Sequence, residues 1–267
     1  LLAAVASFVD ARAAGGRWLL RIEDIDPPRE MPCADRLILD TLDRHGLHWD
    51  GAVLYQSNRH ERYRAVLADL QARGLAYRCA CSRARLATLR HVYDGHCRRY
   101  PPADDVPCAI RLQLPERTLY FEDRIRGPQQ QALADGGDCI IHRKDGLFAY
   151  QLAVVVDDID QGVTDVVRGS DILDATGRQI YLTGLLGGNV PRYAHIPLAL
   201  GADGQKLSKQ NHAPALDNHM PSANLCQALA ALGQQPPAGL TDESPATVLK
   251  WAVTHWDIVA VTDVIRV

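Results

Sequence analysis

The stretch R-W-L-L-R-I-E-D-I-D-P-P (17–28) decides the fold. A short, mostly apolar run follows the glycine pair Gly15-Gly16, ends in the acids Glu23, Asp24 and Asp26, and is stopped by two prolines. That pattern reads as a buried strand with carboxylates at its carboxyl end. Upstream, Leu2, Val5, Ala6 and Val9 are apolar at helical spacing, so a helix is expected up to about Ala14. Downstream, PCADRLILDTLDRH (32–45) returns to helical spacing and closes at Gly46. A third helix, ERYRAVLADLQAR (61–73), is expected with Asn58 as its cap and Gly74 as its stop. Strands and helices alternating through short links argue for an α/β layout with a parallel sheet.

Composition narrows the function classes. The 267 residues are 47% hydrophobic and 23% charged, which excludes a disordered chain. A formal charge of -3 excludes binding to nucleic acid by bulk basicity, so any RNA or phosphate contact must be local. The longest apolar runs, such as LLAAVA (1–6) and LAVVV (152–156), are too short to span a membrane. Seven scattered cysteines, an odd number, suit a reduced, cytoplasmic setting with a metal site, not a disulfide framework.

From Tyr77 to about Gly127 cysteines, arginines and prolines crowd together, with short strands expected at Ala109–Leu114 and Thr118–Phe121. This reads as an inserted subdomain. The α/β texture resumes with the strand CIIH (139–142) and the run FAYQLAVVVDD, whose Asp157 and Asp158 read as strand-end acids with a weak claim on Mg²⁺. Residues 177–186 are expected to be helical, and HIPLAL (195–200) a strand. The expected units are 1–76 and 128–212 as the two parts of a catalytic domain, 77–127 as the insertion, and 213–267 as a short helical tail.

Three constellations carry chemistry. The loop GADGQKLSKQN (201–211) holds Lys206 and Lys209, two of only four lysines in the chain, with Ser208 between them. Mobile cationic groups beside glycines suit a triphosphate, although the spacing is not that of a Walker loop. Glu23, at a strand end, can pair with an α-ammonium, and Arg168, after an apolar strand and before Gly169, can pair bidentately with a carboxylate. Cys79, Cys81 and Cys97 suit tetrahedral Zn²⁺, with His91 or His96 as the usual fourth ligand. Arg83, Arg85, Arg90, Arg98 and Arg99 in the same stretch could meet RNA phosphates or form a solvated basic face.

Lys206-Leu207-Ser208-Lys209 resembles the Lys-Met-Ser-Lys-Ser signature of class I aminoacyl-tRNA synthetases. RIEDIDPPRE (21–30), FAYQLAVVVDD (148–158) and VVRGSD (166–171), followed by Thr176, Arg178 and Gln179, are similar in the same order to glutamyl-tRNA synthetases. Only about 55 residues follow the lysine loop, and the combination looks like the glutamyl-queuosine tRNA(Asp) synthetases. The resemblance implies a class I Rossmann-type parallel sheet with a zinc-bearing insertion and a short helical tail, acting as a monomer. It implies activation of glutamate with ATP and Mg²⁺, and transfer to the queuosine base of tRNA(Asp). Glu23, Tyr150 and Arg168 match the glutamate positions, and Lys206, Ser208 and Lys209 the ATP and catalytic positions. Cys79-x-Cys81, eleven residues, then Tyr93-x-x-x-Cys97 matches the family's metal pattern, which favours Tyr93 as fourth ligand and a structural zinc.

Two departures accompany the resemblance. Gln151 stands where the family commonly has asparagine, with little consequence expected. The family's Pro-Ser-Pro-x-Gly-x-Leu-His-x-Gly segment, which grips ATP, is expected before Leu1 and is absent from the 267 residues. The expectation is therefore that these residues alone fold poorly and do not activate glutamate. A glutamyl-tRNA synthetase fragment charging a 3′ end, and a non-catalytic zinc-containing RNA-binding relic, are the rival readings.

Overall fold

The structure is a computed structural model that describes residues 1–27, 30–90, 92–200, 216–261 and 265–266. Helix α1 (Leu2–Ala13) ends where Gly15 takes a left-handed conformation that a side chain would disfavour. Strand β1 is confined to Arg21–Ile22, because only Leu54–Tyr55 (β2) lies beside it, in parallel register. Between them runs α2 (Ala34–Arg44). A 3-10 turn, Gln56–Arg59, leads into α3 (His60–Ala72). Asn58 thus lies inside that turn, and the position before α3 is Arg59, which makes no side-chain cap.

The next elements are β3 (Ala76–Cys79), α4 (Arg83–Thr88), α5 (His96–Arg99) and β4 (Ala109–Leu112). Then follow β5 (Thr118–Asp123), β6 (Gly127–Ala132) and β7 (Cys139–His142). The run expected to end as a strand is instead α6 (Tyr150–Gln161). Leu152 to Val156 are all buried, so the helix is apolar on every side, and no alternation exists to distinguish it from a buried strand. Asp157 and Asp158 are therefore helical residues, not strand-end acids. β8 (Asp165–Gly169), α7 (Thr176–Leu185), β9 (Arg192–Ile196) and β10 (Ala199–Leu200) follow. The chain closes with α8 (Pro221–Ala231), α9 (Pro245–His255) and β11 (Ile265–Arg266).

Among the described residues the strands form four sheets. β8 and β9 pair in parallel, β9 pairs in parallel with β5, and β6 continues antiparallel from β5. β3, β4 and β7 form an antiparallel sheet that draws its third strand from beyond the cysteine-rich stretch. One apolar core joins α1 to α8 and α9 through Val5, Val9, Leu225, Leu229 and Val248. A second lies around α3 and α6, with Tyr63, Leu70, Leu152 and Leu182 inside it. The tail helices are thus packed against the first helix by buried aliphatic side chains, each worth about 1.5–3 kcal/mol.

β1 and β8 are both sheet edges. Between them opens a cavity of about 920 Å³, lined by residues 17–21 on one side and 163–168 on the other. The carboxyl ends of both strands, Glu23 and Arg168, reach this cavity.

Candidate functional site

Glu23, Tyr150 and Arg168, far apart in the chain, line the same cavity. Each arrives by a different route. Glu23 follows β1 directly, Tyr150 opens α6, and Arg168 is the penultimate residue of β8. Ligands of open α/β sheets lie at such strand ends.

Arg168 is held on three sides. Its Nε donates to His195 Nε2 at 3.0 Å, one terminal nitrogen donates to Thr176 Oγ1 at 2.9 Å, and the other approaches the Tyr150 hydroxyl at 3.5 Å. Its guanidinium lies 5.2 Å from the centre of the Tyr193 ring, a cation–π contact. Burial pushes the Tyr150 hydroxyl above the ordinary tyrosine range, so it remains a neutral donor for a carboxylate. Burial likewise pushes Tyr193 up to about 12.

Glu23 sits in the concave mouth of the cavity with 40% of its side chain exposed. Its crowded surroundings raise its carboxyl above the usual range, and Arg21, 3.5 Å away, opposes that rise without cancelling it. Arg21 also donates to Asp158 at 2.8 Å. Asp158 is raised by burial in the same way, again opposed by Arg21. The cavity therefore gathers the Arg168 guanidinium with the Glu23 and Asp158 carboxylates, which Arg21 partners. An amino acid with a side-chain carboxylate carries the complementary pair of charges.

Asp157, one residue away, has a different task. It is fully buried and accepts from Gln56 at 2.8 Å, Tyr63 at 2.6 Å and Arg59 at 3.0 Å. These donors tie α6 to α3 and its preceding turn. Arg21 and His195 were not singled out from the sequence as site residues, and Asp158 was read as a strand-end acid, not as part of this cavity. His195 carried one usable signal, a lone imidazole within the apolar run AHIPLAL.

Lys206, Ser208 and Lys209 lie outside the described residues, as does His91. The position of the lysine loop relative to Arg168 is accordingly not part of this geometry.

The second site lies where β3 runs out. The sulfurs of Cys79, Cys81 and Cys97 all lie within 4.8 Å of one another and could hold a metal ion. Cys81 and Cys97 are 3.4 Å apart. Burial, then the neighbouring Cys97 and Cys79 sulfurs, push Cys81 up to about 12. Burial works against the Cys79 thiolate too, but Arg111, donating at 3.2 Å, together with the Cys81 amide and the Tyr93 hydroxyl, lowers the thiol. Crowded sulfurs with mismatched protonation are what a dication resolves. The Tyr93 hydroxyl is in the same cluster, accepting from the Cys97 amide at 2.8 Å and hydrogen-bonded to Cys79. Tyr93 is 4% exposed, and Arg111 lies over its ring at 3.9 Å. The His96 ring packs on Tyr100, and His96 is not in the metal-capable group. Arg85 is paired with Asp94 and Arg98 with Asp138, so two of the five arginines already have carboxylate partners.

Comparison with known proteins agrees with this geometry. Residues 2–238 match the family model described as class I tRNA synthetases (E and Q), catalytic domain. A glutamyl-Q tRNA(Asp) synthetase of Pseudomonas aeruginosa is 52% identical over 258 residues, spanning 96% of this chain and 88% of that protein. One from Thiobacillus denitrificans is 54% identical over 265 residues, spanning 97% and 88%. A crystal structure of a glutamate tRNA ligase from Elizabethkingia meningosepticum, in complex with its amino acid, superposes with a TM-score of 0.82 at 23% identity. The chain spans 63% of that protein's length, and the likeness is one of fold. No described helix is long and apolar enough to cross a membrane. The chain belongs to the class I tRNA synthetase (E and Q) catalytic-domain family, a family of aminoacyl-tRNA-synthetase-type ligases.

Proposed function

We propose that this protein activates glutamate with ATP and transfers it to the queuosine base of tRNA(Asp). The observation that carries the amino-acid half is the convergence of Glu23, Tyr150 and Arg168 on one cavity, which brings a carboxylate and a guanidinium to the same space. In this reading Glu23 receives the α-ammonium, while Arg168 and Tyr150 hold the side-chain carboxylate. Glutamine would leave the Arg168 charge without an anion, a loss of about 1.5–3 kcal/mol for a hydrogen bond to a charged group. The α-carboxylate attacks the α-phosphorus of ATP and displaces pyrophosphate, with Lys206, Lys209 and Ser208 of the loop stabilising the phosphate charge. Mg²⁺ accompanies the nucleotide. The choice of queuosine-bearing tRNA(Asp) over a 3′ end is supported by the names of the Pseudomonas aeruginosa and Thiobacillus denitrificans relatives.

Cys79, Cys81, Cys97 and Tyr93 would hold a structural Zn²⁺. When bound, the ion replaces a missing apolar core in the 77–127 insertion.

Pyrophosphate exchange tests the proposal, and the expected result is exchange that depends on glutamate. Alkali-labile glutamate on tRNA(Asp) that depends on queuosine completes the case. Exchange driven equally by glutamine, or label on tRNA lacking queuosine, would contradict it. A flat exchange would favour the non-catalytic relic.

A further inference from the structure

We propose that Asp123 and His195 form a buried positioning dyad that sets the orientation of the Arg168 guanidinium. This deepens the reading of Arg168 as the carboxylate-binding residue and rests on it. Three adjacent strands build the dyad: Asp123 ends β5, His195 lies on β9, and Arg168 is its register partner on β8. Asp123 is 1% exposed, and His195 and Thr176 are fully buried.

The hydrogen bonds run in one direction. The Asp123 carboxylate is pinned by the amides of Ile125 at 3.0 Å, Arg126 at 2.9 Å and His195 at 3.2 Å. Burial alone would raise this carboxyl, but those donors and the imidazole together hold it below the usual range. Its other oxygen lies 2.6 Å from His195 Nδ1. An acceptor there assigns the proton to Nδ1 and leaves Nε2 with its lone pair outward. That lone pair meets the Arg168 Nε donor at 3.0 Å. Thr176 Oγ1, 3.2 Å from the same nitrogen, takes one terminal N–H of the guanidinium. The Tyr193 ring stacks on the imidazole at 6.0 Å and 14°, which fixes the ring plane. With Nε and one terminal hydrogen engaged behind it, the fork can present its remaining donors only toward Tyr150 and the cavity. A second-layer contact of this kind fixes a ligand-binding group's geometry without touching the ligand.

Three substitutions read the direction of the relay. H195N keeps a donor near Asp123 but removes the acceptor facing Arg168. H195Q places an acceptor near Arg168 and gives up the donor to Asp123. D123N is nearly isosteric, but its amide donates to Nδ1 and drives the proton to Nε2, against Arg168. In pyrophosphate exchange, glutamate KM should rise about tenfold in H195N and D123N, the loss of one hydrogen bond to a charged group. H195Q should hold the rise to about threefold, and KM for ATP should not move in any of the three. Equal losses in H195N and H195Q, a larger loss in H195Q, or no change in H195N would overturn the dyad. R168K separates the layers: if it raises glutamate KM while H195N does not, the dyad alone fails. If R168K too is silent, the carboxylate-binding reading fails with it. Should the variants not fold, side-chain ¹⁵N shifts of the unsubstituted protein decide: a protonated Nδ1 with bare Nε2 is expected, and a protonated Nε2 on His195 overturns the proposal.

Discussion

Replacing Arg168 with lysine keeps the charge and removes the fork. In the structure the guanidinium donates to His195 Nε2 at 3.0 Å and to Thr176 Oγ1 at 2.9 Å, with Tyr150 at 3.5 Å on its open side. A lysine ammonium is a point donor and cannot serve the back and the front of the site together. If it turns toward the carboxylate, the buried His195 acceptor is orphaned. If it turns back, the substrate loses its partner. Losing one hydrogen bond between charged groups costs about 1.5–3 kcal/mol, or about 10- to 150-fold in glutamate KM. The orphaned imidazole should lower stability separately, by about 1–3 kcal/mol. The assay is glutamate-dependent pyrophosphate exchange with ATP and glutamate varied in turn, beside a thermal melt. A folded R168K protein whose glutamate KM lies within about twofold of the original, less than half a kcal/mol, would refute the reasoning.

Three further outcomes are expected. Because the Glu23 carboxyl is raised above its ordinary 4.5, it takes up a proton at higher pH than a free glutamate side chain. Glutamate binding should therefore be full above that raised value and weaken as pH falls through it, with the dependence flattened in E23Q when KM is followed by exchange. D157N puts an amide against donors from Gln56, Tyr63 and Arg59. It should cost about 2–3 kcal/mol, seen as a melting midpoint about 5–10 °C lower, the partly exposed Arg59 keeping the loss below that of a sealed ion pair. Beside the proposed zinc site, Gly137 is left-handed, and a Cβ there would stand 2.1 Å from the Tyr93 carbonyl oxygen. G137A should thus release zinc to a chelator faster than the original protein and expose three additional reactive thiols, both read by metal and thiol assays.

The sequence shows the helix ends plainly because glycine marks them. Gly15, Gly46 and Gly74 each take the left-handed conformation after α1, α2 and α3. Glu23 and Arg168 were legible as charges, each at the end of an apolar run, and although their strands belong to different sheets both line one cavity. α6 was not legible, since its buried run 152–156, rich in valine, shows the same uninterrupted apolar stretch as a buried strand. The Asp123–His195 pair was hidden by distance: 72 positions separate the partners, and only strand register brings them together. Asp157 and Asp158 look alike in the sequence, yet one faces three donors in the core and the other faces the cavity. Adjacent helical positions point about 100° apart, which turns one carboxylate to the core and the other to the cavity.

The central claim is that one cavity holds the acidic amino acid against Arg168 while the lysine loop holds the nucleotide beside it. A crystal structure with glutamate and a non-hydrolysable ATP analogue tests it most directly. The account predicts the side-chain carboxylate on the Arg168 guanidinium and the Tyr150 hydroxyl, the ammonium at Glu23, and the triphosphate against Lys206 and Lys209. Glutamate bound with its side chain away from Arg168, or a triphosphate remote from that cavity, would contradict it.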